Sequence, residues 1–197
     1  MSRLPLVVLA ALVAALLVAP AALAAAVHIR VEGKTQTIYG PTQPAVSGTN
    51  ALDVLAAAAT RGEFYYHVQH ASFGNYVDQI GLYPAAGQAG WVFKVNGASP
   101  PVGADQVQLK DGDVVLWYWA EFGPSGGPPT LLLRHVTRRC YTVQAQDDQG
   151  RKSVPRSATI HVAGRSVQTP KGRACLKPHT GLVWATAQGA VRSNRLP

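Results

Sequence analysis

Residues Gly90–Gly123 read GWVFKVNGASPPVGADQVQLKDGDVVLWYWAEFG and hold three of the four tryptophans in the chain. Trp91, Phe93 and Val95 alternate with Val92 and Lys94, the period of two that a half-buried strand shows. Asn96-Gly97 then supplies the positive φ that a tight turn needs. Asp111-Gly112-Asp113 punctuates the approach to a second strand, Val114–Ala120, where Val115, Trp117 and Trp119 point one way and Val114, Leu116 and Tyr118 the other. A strand apolar on both faces is expected at the centre of a sheet.

Toward the N-terminus, Val27, Ile29 and Val31 alternate with His28 and Arg30, Glu32-Gly33-Lys34 reads as a turn, and Thr35–Tyr39 completes a hairpin. Thr49-Asn50 cap a helix over Ala51–Thr60 whose face is expected to be Leu52, Leu55, Ala56 and Ala59, with Arg61-Gly62 ending it. Strands follow at Phe64–His70 and Tyr76–Leu82. A helix this short and alanine-rich is marginal in water and must be held by a sheet. The order predicts an α+β domain of β-grasp type, one helix laid across a mixed sheet, over residues 25–122. Before it, Arg3, the apolar run Leu4–Val18 and the small-x-small triplet Ala22-Leu23-Ala24 predict an export signal over 1–24, cleaved near Ala24–Ala26. The expected location is outside the cell or on its envelope.

The motifs SFGNYVDQIG (72–81), GWVFKVNG (90–97), VGA (102–104) and LKDGDVVLWYW (109–119) resemble the transcobalamin C-terminal-like family of bacterial domains. That family is similar to the small β-grasp lid of the vitamin B12 carriers, so the resemblance implies a corrinoid such as cobalamin as one candidate ligand. In the carriers the lid closes on a large helical barrel, and this chain carries no such barrel, which leaves a separate partner protein as a possible completion of the site.

Gly123–Pro129, GPSGGPP, reads as a linker. Beyond it, residues 130–197 predict a small all-β sandwich from short strands at Thr130–Val136, Cys140–Asp147, Ala158–Ala163, a hairpin Gln168–Cys175 around Pro170-Lys171-Gly172, and Leu182–Ala187. Tyr141, Val143 and Ala145 share one face. The run 147–174 resembles the carboxypeptidase regulatory-like or prealbumin-like sandwiches of secreted proteins. The net charge of +8 is lopsided: residues 25–129 have five Lys or Arg against eight Asp or Glu, whereas residues 130–197 have twelve against Asp147 and Asp148 alone. Arg134, Arg138, Arg139, Arg151, Lys152 and Arg156 are expected to meet an anionic wall polymer or lipid surface rather than nucleic acid, which an exported chain rarely encounters. Cys140 and Cys175, in an exported chain and in no Cys-x-x-Cys pattern, predict a structural disulfide. Closing that loop removes roughly 3.8 kcal/mol of unfolded-state entropy.

No cofactor, metal site or catalytic group is expected. Gly123-Pro124-Ser125-Gly126-Gly127 resembles the segment around a trypsin-like nucleophile only superficially, because a flexible linker cannot hold a serine for acyl transfer. His67 and His70, three apart on a strand, fall on opposite faces and cannot share a metal. The aromatic residues are the better lead. Tyr65, Tyr76, Trp91, Trp117 and Trp119, with Lys94 and Asn96 beside them on a solvated face, are expected to present flat rings and polar groups to a planar, sugar-like or peptide ligand. The sequence thus predicts a secreted, non-enzymatic binding protein, with a purely structural or adhesive surface module as the alternative class and a secreted hydrolase as a remote second.

Overall fold

The computed structural model describes residues 23–71 and 74–197. The export signal expected over 1–24 lies outside the described residues except for Leu23 and Ala24, as do Ser72 and Phe73 of the first motif. The chain runs β1 (Ala25–Glu32), β2 (Thr37–Tyr39), β3 (Ala45–Gly48), α1 (Ala51–Gly62), β4 (Tyr66–Ala71), β5 (Gly74–Ile80), β6 (Tyr83–Pro84), β7 (Ala89–Val95) and β8 (Val114–Glu121). It continues through β9 (Thr130–Thr137), β10 (Cys140–Gln146), β11 (Lys152–Ser153), β12 (Ala158–Val162), β13 (Arg165–Gln168), β14 (Arg173–Cys175) and β15 (Trp184–Ala187). Among the described residues it is mostly β with one helix, an α+β arrangement.

β8 is central, as its two apolar faces require: it lies parallel to β1 on one side and antiparallel to β7 on the other. β2 and β3 both pair with the remaining edge of β1, while β4, β5 and β6 form a separate sheet beside β7. Asn50 caps α1, its Oδ1 accepting from the N–H groups of Leu52 and Asp53. The buried face of α1 is Ala51, Val54, Leu55, Ala58 and Ala59 rather than Leu52, Leu55, Ala56 and Ala59. Ala51, at the first helical position, is turned inward, and its carbonyl accepts from Trp117 Nε1, so the stripe begins one residue earlier than expected. This face packs on Val27, Ile29, Val31, Val115 and Trp117 as one core.

The second half has its own core of Leu131, Leu133, Tyr141, Val143, Ile160 and Val183. It lies between a β11-β10-β14 sheet extended by β9 and a β13-β12-β15 sheet. Cys140 and Cys175 are opposite each other in register and are joined by the disulfide. The hairpin expected over Gln168–Cys175 is not one. β13 pairs with β12 and β14 with β10, so Pro170–Gly172 forms a single tight turn that crosses between sheets. Thr169 anchors that crossing by donating both its N–H and its Oγ1–H to Ala158 C=O, each at 2.8 Å. Gly172 is obligatory there, because its φ is +69° and a Cβ would sit 2.8 Å from Val143 O.

The two halves are packed together through the other face of β8. Leu116, Tyr118 and Ala120 close against Val191 and Val92 in a third apolar cluster. Around it are buried charges. Lys94 Nζ donates to Asp147 O at 2.9 Å, Gln146 O at 3.1 Å and Thr130 Oγ1 at 3.4 Å, and lies 3.5 Å from Asp148 Oδ1. Glu32, read as the start of a turn, closes β1 and is buried: Arg30 and Arg192 both ion-pair with it and Thr37 donates to it. Arg192 also donates to Gly33 O, and Arg30 to Arg192 O, each at 2.7 Å.

Replacing Lys94 by Ala leaves the Gln146 and Asp147 carbonyls without their donor in a closed seam and is expected to lower unfolding free energy by about 3 kcal/mol. Lys94→Met, which refills the volume without the charge, should lose less than half as much. Urea unfolding of the full chain measures both values.

Candidate functional site

β7 ends its sheet, so one of its edges is unpaired among the described residues. Asn96 N–H donates to Val114 C=O at 2.8 Å and Phe122 N–H to Gln88 C=O at 2.9 Å, at the two ends of the β7–β8 ladder. That phase makes Val92 and Lys94 the residues that bond β8 and turns the backbone groups of Trp91 and Phe93 outward. A groove of about 330 Å³ follows this edge. Its apolar walls come from Tyr76 and Val77 of β5, Trp91, Val92 and Phe93 of β7, and Trp117 and Tyr118 of β8, with Pro100 and Ala104 from the β7–β8 connection and Phe122 at one end.

Three polar residues punctuate those walls: Asn75, Ser99 and Asp148. Asp148 belongs to the second half and is placed by the seam itself, where Ser99 N–H donates to its carbonyl at 2.8 Å and Lys94 lies beside its carboxylate. Asn75 is fixed from both ends. Its Nδ2 donates to Asp105 Oδ2 at 2.9 Å, and its Oδ1 accepts from His70 Nδ1–H at 2.6 Å. Phe93 stacks on Trp117 with ring centres 5.0 Å apart, and Trp91 donates from Nε1 to Tyr83 O at 2.8 Å, so these rings are held rather than free to swing. A site of this kind is largely preformed, apolar, and oriented by a few polar groups.

Of the residues expected to bind ligand, Tyr76, Trp91 and Trp117 meet in this groove. Trp119 does not line it. It contacts Trp91 edge-on and borders a separate cavity of about 340 Å³ with Lys34, Glu121 and Arg192. Tyr65, 57% exposed, precedes β4 and lies outside the groove. Lys94 is not on a solvated face beside the tryptophans: being one residue out of phase with Trp91 and Phe93, it points to the opposite face and is fully buried in the seam. Asn96 is a turn residue. With φ of +53° it donates to Asp113 Oδ1 and accepts from Val114 N–H, leaving its amide engaged. Asp148, Ser99, Pro100 and Tyr118 were not expected. Asp148 carries no sequence signal for the groove, because only the packing of the two halves brings it there.

His67 and His70 are paired locally, His67 with Asp78 at 2.7 Å and His70 with Asn75. Among the described residues no three His, Cys, Asp or Glu side chains gather as a metal site. Of the six arginines and lysines expected to face an anionic surface, Arg134, Arg138, Arg139, Lys152 and Arg156 are exposed, and Arg151, also exposed, is committed to Asp147 at 2.7 Å.

Residues 48–121, which include α1, β4, β5, β7 and β8, match the model of a family described as a domain of unknown function, DUF4430. Among solved structures, one of a candidate metal-binding protein from Ruminococcus gnavus ATCC 29149 aligns with 50% of this chain and 99% of its own, at 16% identity and a TM-score of 0.39. No curated protein matches the chain.

Burial, reinforced by the Asp148 carboxylate, pushes the Tyr118 hydroxyl well above the ordinary tyrosine range. Its stabilising contribution is therefore complete below about pH 10, where an unfolded tyrosine begins to ionise, and is lost as the pH rises further. Tyr118→Phe should flatten the fall in stability that sets in above about pH 10, as read by urea midpoints between about pH 9 and 12.

Proposed function

We propose that the mature chain is an exported, non-enzymatic binding protein in which a β-grasp domain carries the ligand groove along β7 and the basic sandwich attaches the molecule to an anionic envelope component. The observation that carries the reading is the groove itself, with fixed aromatic walls, an open strand edge and three placed polar residues, at the join of two packed halves. The parallel β1–β8 pair with α1 across it supports the β-grasp reading.

The ligand this groove suits is small, flat and largely apolar, with a hydrogen-bonding rim. A corrinoid is far larger than about 330 Å³ and would be covered along one edge only, so it remains the candidate from resemblance and needs a second surface to complete its site. Attachment by the basic half is electrostatic and screened over about 8 Å at physiological ionic strength.

Equilibrium dialysis of the full mature chain against cobalamin and a panel of small planar molecules should find a ligand whose affinity falls about tenfold on Tyr76→Ala. In the same preparation, binding to purified envelopes at low salt should be lost by about 0.5 M salt. Ligand binding indifferent to Tyr76→Ala removes the groove from the reading, and salt-resistant envelope binding removes the electrostatic attachment. Failure of both leaves the adhesive module as the better description.

A further inference from the structure

The charge of the second half is organised rather than spread. β9 and β10 meet at a two-residue tip, Arg138-Arg139, at the end of the hairpin farthest from the seam. The only carboxylate side chains after residue 129 are Asp147 and Asp148, at the other end of β10. Seven strand residues at about 3.3 Å each separate the two ends, roughly 23 Å, well beyond the distance over which charge acts in saline. Both acids are also engaged, Asp147 by Arg151 and Asp148 by Lys94. No ion pair among the described residues involves Arg138 or Arg139.

That tip borders a cavity of about 490 Å³ lined by Arg138, Arg139, His135, Tyr141 and His179, with Pro178 and Pro197 completing its wall. Tyr141 is sandwiched between the imidazoles, with ring centres 4.6 Å from His135 and 6.1 Å from His179, and its Oη lies 3.3 Å from His179 Nε2. The remaining nitrogen of His179, Nδ1, is buried and has no partner. The tip is held in place. Arg139 C=O accepts from Leu176 N–H at 2.8 Å, and the Cys140–Cys175 disulfide fixes the next residue. Two guanidinium groups and two imidazoles on a fixed backbone, with no Asp or Glu side chain in the cavity lining, suit a tetrahedral oxyanion, since arginine matches phosphate geometry through paired N–H donors.

We propose that this cavity is a phosphate-binding site, distinct from the β7 groove, and that it is the point at which the basic half engages its anionic surface. It rests on the reading of that half as an attachment domain, but names one site where that reading has only net charge. The phosphate can be free or borne by a lipid headgroup, and the test separates the two.

The full mature chain is titrated with inorganic phosphate, and separately with phosphatidylglycerol and phosphatidylcholine vesicles, while the imidazole proton resonances are followed by NMR. His135 and His179 should shift, with His28, His67 and His70 as internal controls that do not. Arg138→Ala combined with Arg139→Ala should weaken binding about tenfold or more, whereas Arg151→Ala, Lys152→Ala and Arg156→Ala together should change it less than about twofold. Response to inorganic phosphate identifies the anion itself as sufficient, and response to phosphatidylglycerol vesicles alone identifies a headgroup. No shift of His135 and His179 with any probe overturns the proposal, as does equal loss in the two sets of variants, which would assign binding to diffuse charge. Envelope binding lost by the triple variant while the phosphate response persists would refute the attachment role and leave the phosphate site standing.

Discussion

An ammonium group with no exposed surface costs several kcal/mol to strip of water, and Lys94 Nζ is such a group. What makes its position tenable is supplied by the second half of the chain: two backbone carbonyls, a threonine hydroxyl and the Asp148 carboxylate. The Tyr118 ring, 5.6 Å from Nζ, adds a favourable face from the first half. Burial holds the Lys94 ammonium below the ordinary lysine range and Asp148 pulls it back, so the acceptors of the seam offset the cost of burying the charge. Separating the halves would return Lys94 to water, but it would also expose the Leu116, Tyr118, Ala120 and Val191 cluster and release Glu32 from Arg192. Polar and apolar contacts therefore fix the same relative placement of the two sheets.

The groove inherits its shape from that placement. Ser99 and Asp148 are brought together by one backbone hydrogen bond across the seam, and the same turn of the second half holds Lys94 on the far face of β7. β7 is thus braced from behind while its outer edge stays open. The aromatic side chains on the groove side are stacked or hydrogen-bonded, so a ligand would meet a surface that has already lost its rotamer freedom, which lowers the entropy of binding it must offset.

Local chemistry made much of this visible in the sequence. The two-sided apolar pattern of Val114–Ala120 predicted a central strand, Asn50 predicted the start of α1, and the Cys140–Cys175 pair predicted a disulfide that stands opposite in register. Tyr76, Trp91 and Trp117 were singled out as aromatics and do line one groove. What was illegible depends on long-range packing. Lys94 reads as a solvated lysine in any alternating strand, and only the second half's carbonyls reveal why it is inside. Glu32 reads as a turn acid because neither Arg30 nor Arg192, 160 residues away, announces its pairing. Gly172 reads as a hairpin turn, although it is the crossing point between two sheets. Asp148 reads as one of two acids in a basic region, whereas its location at the groove follows from the seam.

The central claim is that the two halves form one cooperative unit held by the Lys94 and Glu32 contacts. Differential scanning calorimetry of residues 25–197 at neutral pH tests it most directly. A single transition whose calorimetric and van't Hoff enthalpies agree is the predicted result. Two resolved transitions, or a calorimetric enthalpy about twice the van't Hoff value, would show that the halves melt independently and would contradict the account.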